Sequence, residues 1–145
     1  MREDHPVDLL LVSLDAVPSD SAVGLLLSVV EGLAHSRSWV IGPPGFVDEV
    51  DADGRRTVGL TLSLFTALPP WRDEIDETVD RAHLEEVKLV IHEMCRISAE
   101  IEVPFTVYLA GVLVGRIDRG EMDSLLSIGL IGEWERILEG YSGPS

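Results

Sequence analysis

The dipeptide Asp53-Gly54 constrains this chain more than any other feature. A tight hairpin turn needs positive φ, which glycine accepts at little cost. A few residues later Leu60, Leu62 and Leu64 alternate with Gly59, Thr61, Ser63 and Phe65. A period of two makes a strand with one face on a core. Residues 39–50, before the turn, are expected to be extended, although Gly42-Pro43-Pro44-Gly45 must bend or interrupt them. Leu68-Pro69-Pro70-Trp71 stops the alternating strand.

The flanking segments fill in the rest. Residues 7–14 are a short apolar run broken only by Asp8 and Ser13, with Pro6 and Pro18 outside it, which reads as a buried strand. Ser19-Asp20-Ser21 offers helix caps, and Ala22, Leu26, Val29 and Leu33 follow at helical spacing, predicting a helix over 21–34. Residues 73–101 form the clearest helix, with Ile75, Val79, Val87, Val90, Met94, Ile97 and Ile101 in one apolar stripe. Acids crowd its first turns, where the helix dipole favours them. A second hairpin is expected over 105–109 and 112–117 around Ala110-Gly111, then a turn at Asp118-Arg119-Gly120. Asp123 can cap a last helix through 138, carrying Leu126, Leu130, Trp134 and Ile137 on one side, with 140–145 a frayed tail. The order β-α-β-β-α-β-β-α implies an α+β fold. Its expected core is ferredoxin-like (β-α-β-β-α-β), with an added C-terminal strand and helix, an antiparallel-rich sheet and helices on one face. No repeat or linker divides residues 1–145, so a single domain is expected.

Charge narrows the partners. Eleven Lys and Arg stand against 26 Asp and Glu, a net charge of −15. Nucleic acid is excluded as a partner, because binding it begins with neutralising phosphate. An anionic membrane surface is disfavoured for the same reason. Hydrophobic residues make up 46% of the chain, enough for a real core. The lone Cys95 leaves no internal disulfide, the acidic start is no secretory signal, and no apolar run reaches the ~18 residues of a membrane helix. A soluble, cytoplasmic protein is expected.

No residue pattern here carries catalysis. Glu49, Asp51 and Asp53 before Gly54 resemble the start of a calcium loop, but Leu60 stands where the closing acid belongs. His92 and Cys95 lie three apart on one helix, and two ligands do not make a metal site. His83 falls roughly half a turn away from His92. These residues read as two partly exposed histidines and a buried thiol. Near the end of a long helix, Cys95 would have its thiol pKa raised by the dipole. No Gly-x-Ser-x-Gly elbow, phosphate loop or dinucleotide fingerprint occurs. The expectation is a protein with no catalytic residue, metal or cofactor.

Two features remain. Acids cluster at Asp48, Glu49, Asp51 and Asp53, and again at Asp73, Glu74, Asp76, Glu77 and Asp80. They read equally as solubility or as an electrostatic face for a basic partner. Residues 21–30 and 124–132 carry no charge, which means burial or an association patch, including a homodimer. Trp71 and Trp134 are candidate interface anchors.

In size, acidity and these two clusters the chain resembles the immunity proteins of bacterial toxin systems. The resemblance implies a non-enzymatic inhibitor that occludes a basic partner, such as a toxin nuclease. The alternative is a self-associating ligand-binding or regulatory module, by analogy of fold.

Overall fold

The computed structural model describes residues 7–15, 17–65 and 77–142, and the side chains among them except at 77 and 140–142. Strand β1 (Val7–Leu14) leads to helix α1 (Asp20–Ser36), then to β2 (Gly45–Val50) and β3 (Arg56–Phe65). Helix α2 (Glu77–Ile101) precedes β4 (Phe105–Leu109), β5 (Val112–Asp118) and the short β6 (Glu121–Met122). A π-helical segment (Leu125–Gly132) runs directly into helix α3 (Glu133–Ser142).

The strands form one six-stranded sheet in the order β2-β3-β1-β4-β5-β6. Every adjacent pair is antiparallel. The expected α+β class therefore holds. The six-strand order is not that of a four-stranded ferredoxin-like sheet. Two strands extend it beyond β4, because the turn at Arg119 and Gly120, both at positive φ, folds β6 back onto β5.

Turn chemistry sets the register. Asp51 Oδ1 accepts from the backbone N–H of Asp53 and of Arg55, both at 2.9 Å, which closes the β2–β3 hairpin. Ala110 and Gly111, at φ 54° and 80°, make the tight β4–β5 turn. In β5 the register slips by one residue opposite Val107 and Tyr108. Gly115 follows the slip at φ 155°, and a Cβ there would sit 2.4 Å from Leu126 Cβ. Its missing side chain lets the start of the C-terminal helical segment lie on the sheet.

Leu10 and Val12 of β1 pair with Leu62 and Leu60 of β3 and with Leu109 and Val107 of β4. That face is buried under α1, α2 and the C-terminal helices. On the opposite face Leu9 and Leu113 remain about half exposed.

Helix α1 begins as expected, with Ser19 Oγ accepting from Ala22 N–H at 3.1 Å. It buries Ala22, Leu26, Val30 and Leu33, and Leu27 stays exposed, so the uncharged stretch is one-sided rather than enclosed. The extended segment expected over 39–50 is shorter, since pairing starts only at Gly45, after the two prolines that lack an N–H to donate. The expected start of α2 at 73 lies outside the described residues. The last helix also differs: Asp123 Oδ1 caps Leu126 N–H at 3.0 Å as expected, but the first eight residues wind as a π-helix. Leu126, Leu130, Trp134 and Leu138 are all buried and repeat every four residues. In an α-helix such a repeat drifts about 40° per step. A wider π turn drifts the other way and keeps all four on the core.

Candidate functional site

Three places concentrate polar side chains. The first is inside. Asp80, His83 and Glu86 of α2 are fully buried. Trp134 Nε1–H donates to Asp80 Oδ1 at 2.7 Å, tying α3 to α2. Phe65 N–H donates to His83 Nε2 at 3.2 Å, so Nε2 is the acceptor and the proton of the neutral ring belongs on Nδ1. That nitrogen faces Glu86 Oε1 at 3.4 Å, too long for a good hydrogen bond. Glu86 Oε2 accepts from Val40 N–H at 2.7 Å. Nearby, Trp39 Nε1 is buried without a hydrogen-bond partner among the described residues. The cluster thus anchors the loop after α1, the end of β3 and α3 to one helix. Among the described residues no serine, threonine or cysteine is bonded to His83. Among the described residues no group of three or more His, Cys, Asp or Glu is arranged to hold a metal ion.

The second place is the β2–β3 hairpin. Asp48 lies in a two-pronged pair with Arg56, 2.8 Å at each prong. That bond holds the Asp48 carboxyl below its ordinary range. Asp51 is consumed by the turn, as described above. Glu49 and Asp53 are exposed and make no ion pair among the described residues. Half of this acidic cluster therefore serves the hairpin itself.

The third place is an open groove of about 940 Å³ along the outer face of α2, from Glu85 to Ala99. Leu89, Ile91, Met122 and Ile131 supply apolar walls, and Gly120 and Glu121 of the β5–β6 turn close one side. Its cations are Arg37, Lys88 and Arg96. Lys88 Nζ lies 2.9 Å from Glu135, which raises its pKa. Arg96 Nε and Nη2 both reach Glu93 Oε1, at 3.1 and 3.0 Å. His92 is exposed and Cys95 half-buried, and burial pushes the Cys95 thiol up.

Sequence reasoning placed several of these residues differently. Asp80, expected among the surface acids, and Trp134, expected as an interface anchor, are each buried and bond to one another. His83 is buried rather than partly exposed, and Cys95 is less buried than expected. Asp73, Glu74, Asp76 and Trp71 lie outside the described residues, and Glu77 opens α2. The buried cluster was missed because its residues are polar. Its signal was positional: stepping back from Val90 and Val87 along the stripe lands on His83 and Asp80. No helix among the described residues is long and apolar enough to cross a membrane. Comparison with protein-family models, with curated proteins and with solved structures finds no match to this chain.

Proposed function

We propose that this chain is a non-enzymatic binding protein of the cytoplasm, an inhibitor of immunity-protein type, that occludes a basic site on another protein. The observation carrying the reading is where its few cations go. Arg56, Lys88, Arg96, Arg116 and Arg136 each lie within 4.0 Å of an acid of the same chain. They hold local structure, and the chain as a whole keeps a net charge of −15. A field of that sign attracts basic surfaces and speeds their encounter. On the hairpin, Glu49 and Asp53 are the acids left to meet a partner.

The same reading extends to the fold. We take β1–β4 with α1 and α2 as a ferredoxin-like core carrying β5, β6 and the C-terminal helices. The position of β3 between β1 and β2, antiparallel to both, supports this.

The test is capture of partners from native lysate on the immobilised chain at low and high salt, beside a Glu49→Lys, Asp53→Lys variant. The expected result is a basic protein held at low salt, released at high salt and lost by the variant. Recovery of no basic protein, or equal recovery by the variant, overturns the reading.

A further inference from the structure

We propose that the free edge of β2 takes up an extended basic segment of the partner protein as an added strand. The proposal rests on the binding reading above and names how the partner is held.

The edge itself is the first observation. β2 and β6 are the two ends of the sheet. β6 has two residues, too few to template another strand, whereas β2 has six. Asp51 N–H donates to Arg55 O at 2.9 Å, so Asp51 turns its backbone toward β3. Backbone direction alternates along an antiparallel strand, and the β2–β3 register runs unbroken from Gly45 to Val50. Val47 and Glu49 therefore also turn toward β3. Phe46, Asp48 and Val50 aim their N–H and C=O groups away from the sheet, and among the described residues no loop or turn backbone bonds to them. Proteins commonly guard such an edge with a lysine, a proline or a bulge. Between Gly45 and Val50 this strand has none of the three. Its charged residues are Asp48 and Glu49.

Charge selects the occupant. Across residues 45–65, which hold β2, the hairpin loop and β3, two arginines stand against four acids, 2 − 4 = −2 with the Asp48–Arg56 pair counted in full. Helix α1 packs beside β2 and adds Asp20 and Glu31 but no Lys or Arg. A second copy of the chain would bring Asp48 and Glu49 against the same acids of its twin, and like charges across a strand pair are destabilising. A basic segment meets the opposite condition.

The side chains set its pattern. Val47 and Glu49 stand opposite Gly59 and Thr57, on the face away from the helices, while Phe46 and Val50 lie on the other face. An added strand that alternates cationic and apolar residues places its cations beside Glu49, which makes no ion pair among the described residues. Its apolar residues fall beside Phe46 and Val50. Main-chain bonds then supply affinity and the alternation supplies specificity.

The probes are a short capped peptide alternating lysine and valine, and its threonine–valine counterpart. The whole chain would be titrated with each at low salt and followed by NMR shifts and amide hydrogen exchange. The lysine peptide is expected to bind and, at saturation, to slow exchange at Phe46, Asp48 and Val50 at least tenfold. The threonine peptide should bind at least tenfold more weakly. Val50→Pro keeps the charge and removes one outward N–H, at an exposed edge position where proline is tolerated. It should weaken the lysine peptide at least threefold. Binding without protection of those three amides, or with full affinity in the folded Val50→Pro variant, overturns strand addition. The binding reading would stand in that case if Glu49→Lys with Asp53→Lys still lost the peptide. Equal binding of the two peptides overturns the basic occupant. Binding of neither peptide overturns the proposal, while a basic protein captured from lysate would keep the binding reading. A wild-type dimer that Val50→Pro makes monomeric also overturns it and gives the edge to a second copy of the chain.

Discussion

Replacing Trp134 with Phe separates a core role from an interface role for this residue. The indole Nε1–H lies 2.7 Å from Asp80 Oδ1, and both side chains are buried. Phenylalanine keeps a ring in the slot and removes the donor. Removing the donor from a buried carboxyl oxygen costs about 1.5–3 kcal/mol. The smaller ring also buries about 40 Å² less apolar area, roughly 1 kcal/mol at ~25 cal/mol per Å². The expected loss is therefore about 2.5–4 kcal/mol, most of it polar. Urea unfolding followed by circular dichroism measures it as a shift in midpoint at constant slope. A double-mutant cycle with Asp80→Asn should show coupling of about 1 kcal/mol or more. A loss near 1 kcal/mol with no coupling would refute the reasoning, since only ring area would then have mattered. Because Trp134 is enclosed, the folded variant should still capture whatever partner the wild type captures.

Gly59→Ala should destabilise, although glycine inside a strand normally costs about 0.5–1 kcal/mol relative to alanine. Here a Cβ would lie 2.3 Å from Val12 O and 3.1 Å from Ser13 Cα, backbone atoms of the paired strand that have no room to shift. The net loss is expected at about 1–3 kcal/mol, and a melting temperature equal to or above wild type would contradict this. Cys95 should alkylate more slowly than an exposed cysteine at about pH 8, because burial raises its pKa and so lowers its thiolate fraction. The rate should climb as pH rises above the ordinary thiol range, and a rate already level at neutral pH would show the thiol is not raised.

The elements that local chemistry dictates were legible in the sequence. Asp53-Gly54 and Ala110-Gly111 announced their hairpins, because few residues accept the positive φ that such turns need. The alternation of Leu60, Leu62 and Leu64 announced the buried face of β3, whose members are all closed to solvent. The π-helical segment was not legible. The four-residue repeat of Leu126, Leu130, Trp134 and Leu138 fits an α-helix loosely and a mixed π/α helix better, and periodicity alone does not distinguish them at that length. The groove was not legible either. It exists because the β5–β6 turn sets Gly120 against Ala99 and the π-helical segment brings in Ile131, contacts far apart in sequence.

The acids show most clearly where reading a sequence for charge goes astray. A carboxylate written in a chain is counted as surface, since burying one alone is costly. Asp80 and Glu86 escape that rule through partners no local pattern reveals. Trp134 is 54 positions from Asp80, and Val40 is 46 from Glu86. Asp48 and Asp51 are on the surface, yet the hairpin uses both, one against Arg56 and one in the turn. Among the described residues the acidic clusters therefore mix three kinds of residue: buried ties between elements, turn and ion-pair groups, and acids with no bond to another described side chain. Only the last kind is at leisure to meet a partner. On the hairpin that leaves Glu49 and Asp53, which is why the charge reversal that tests the binding role is placed on those two and not on the cluster as a whole.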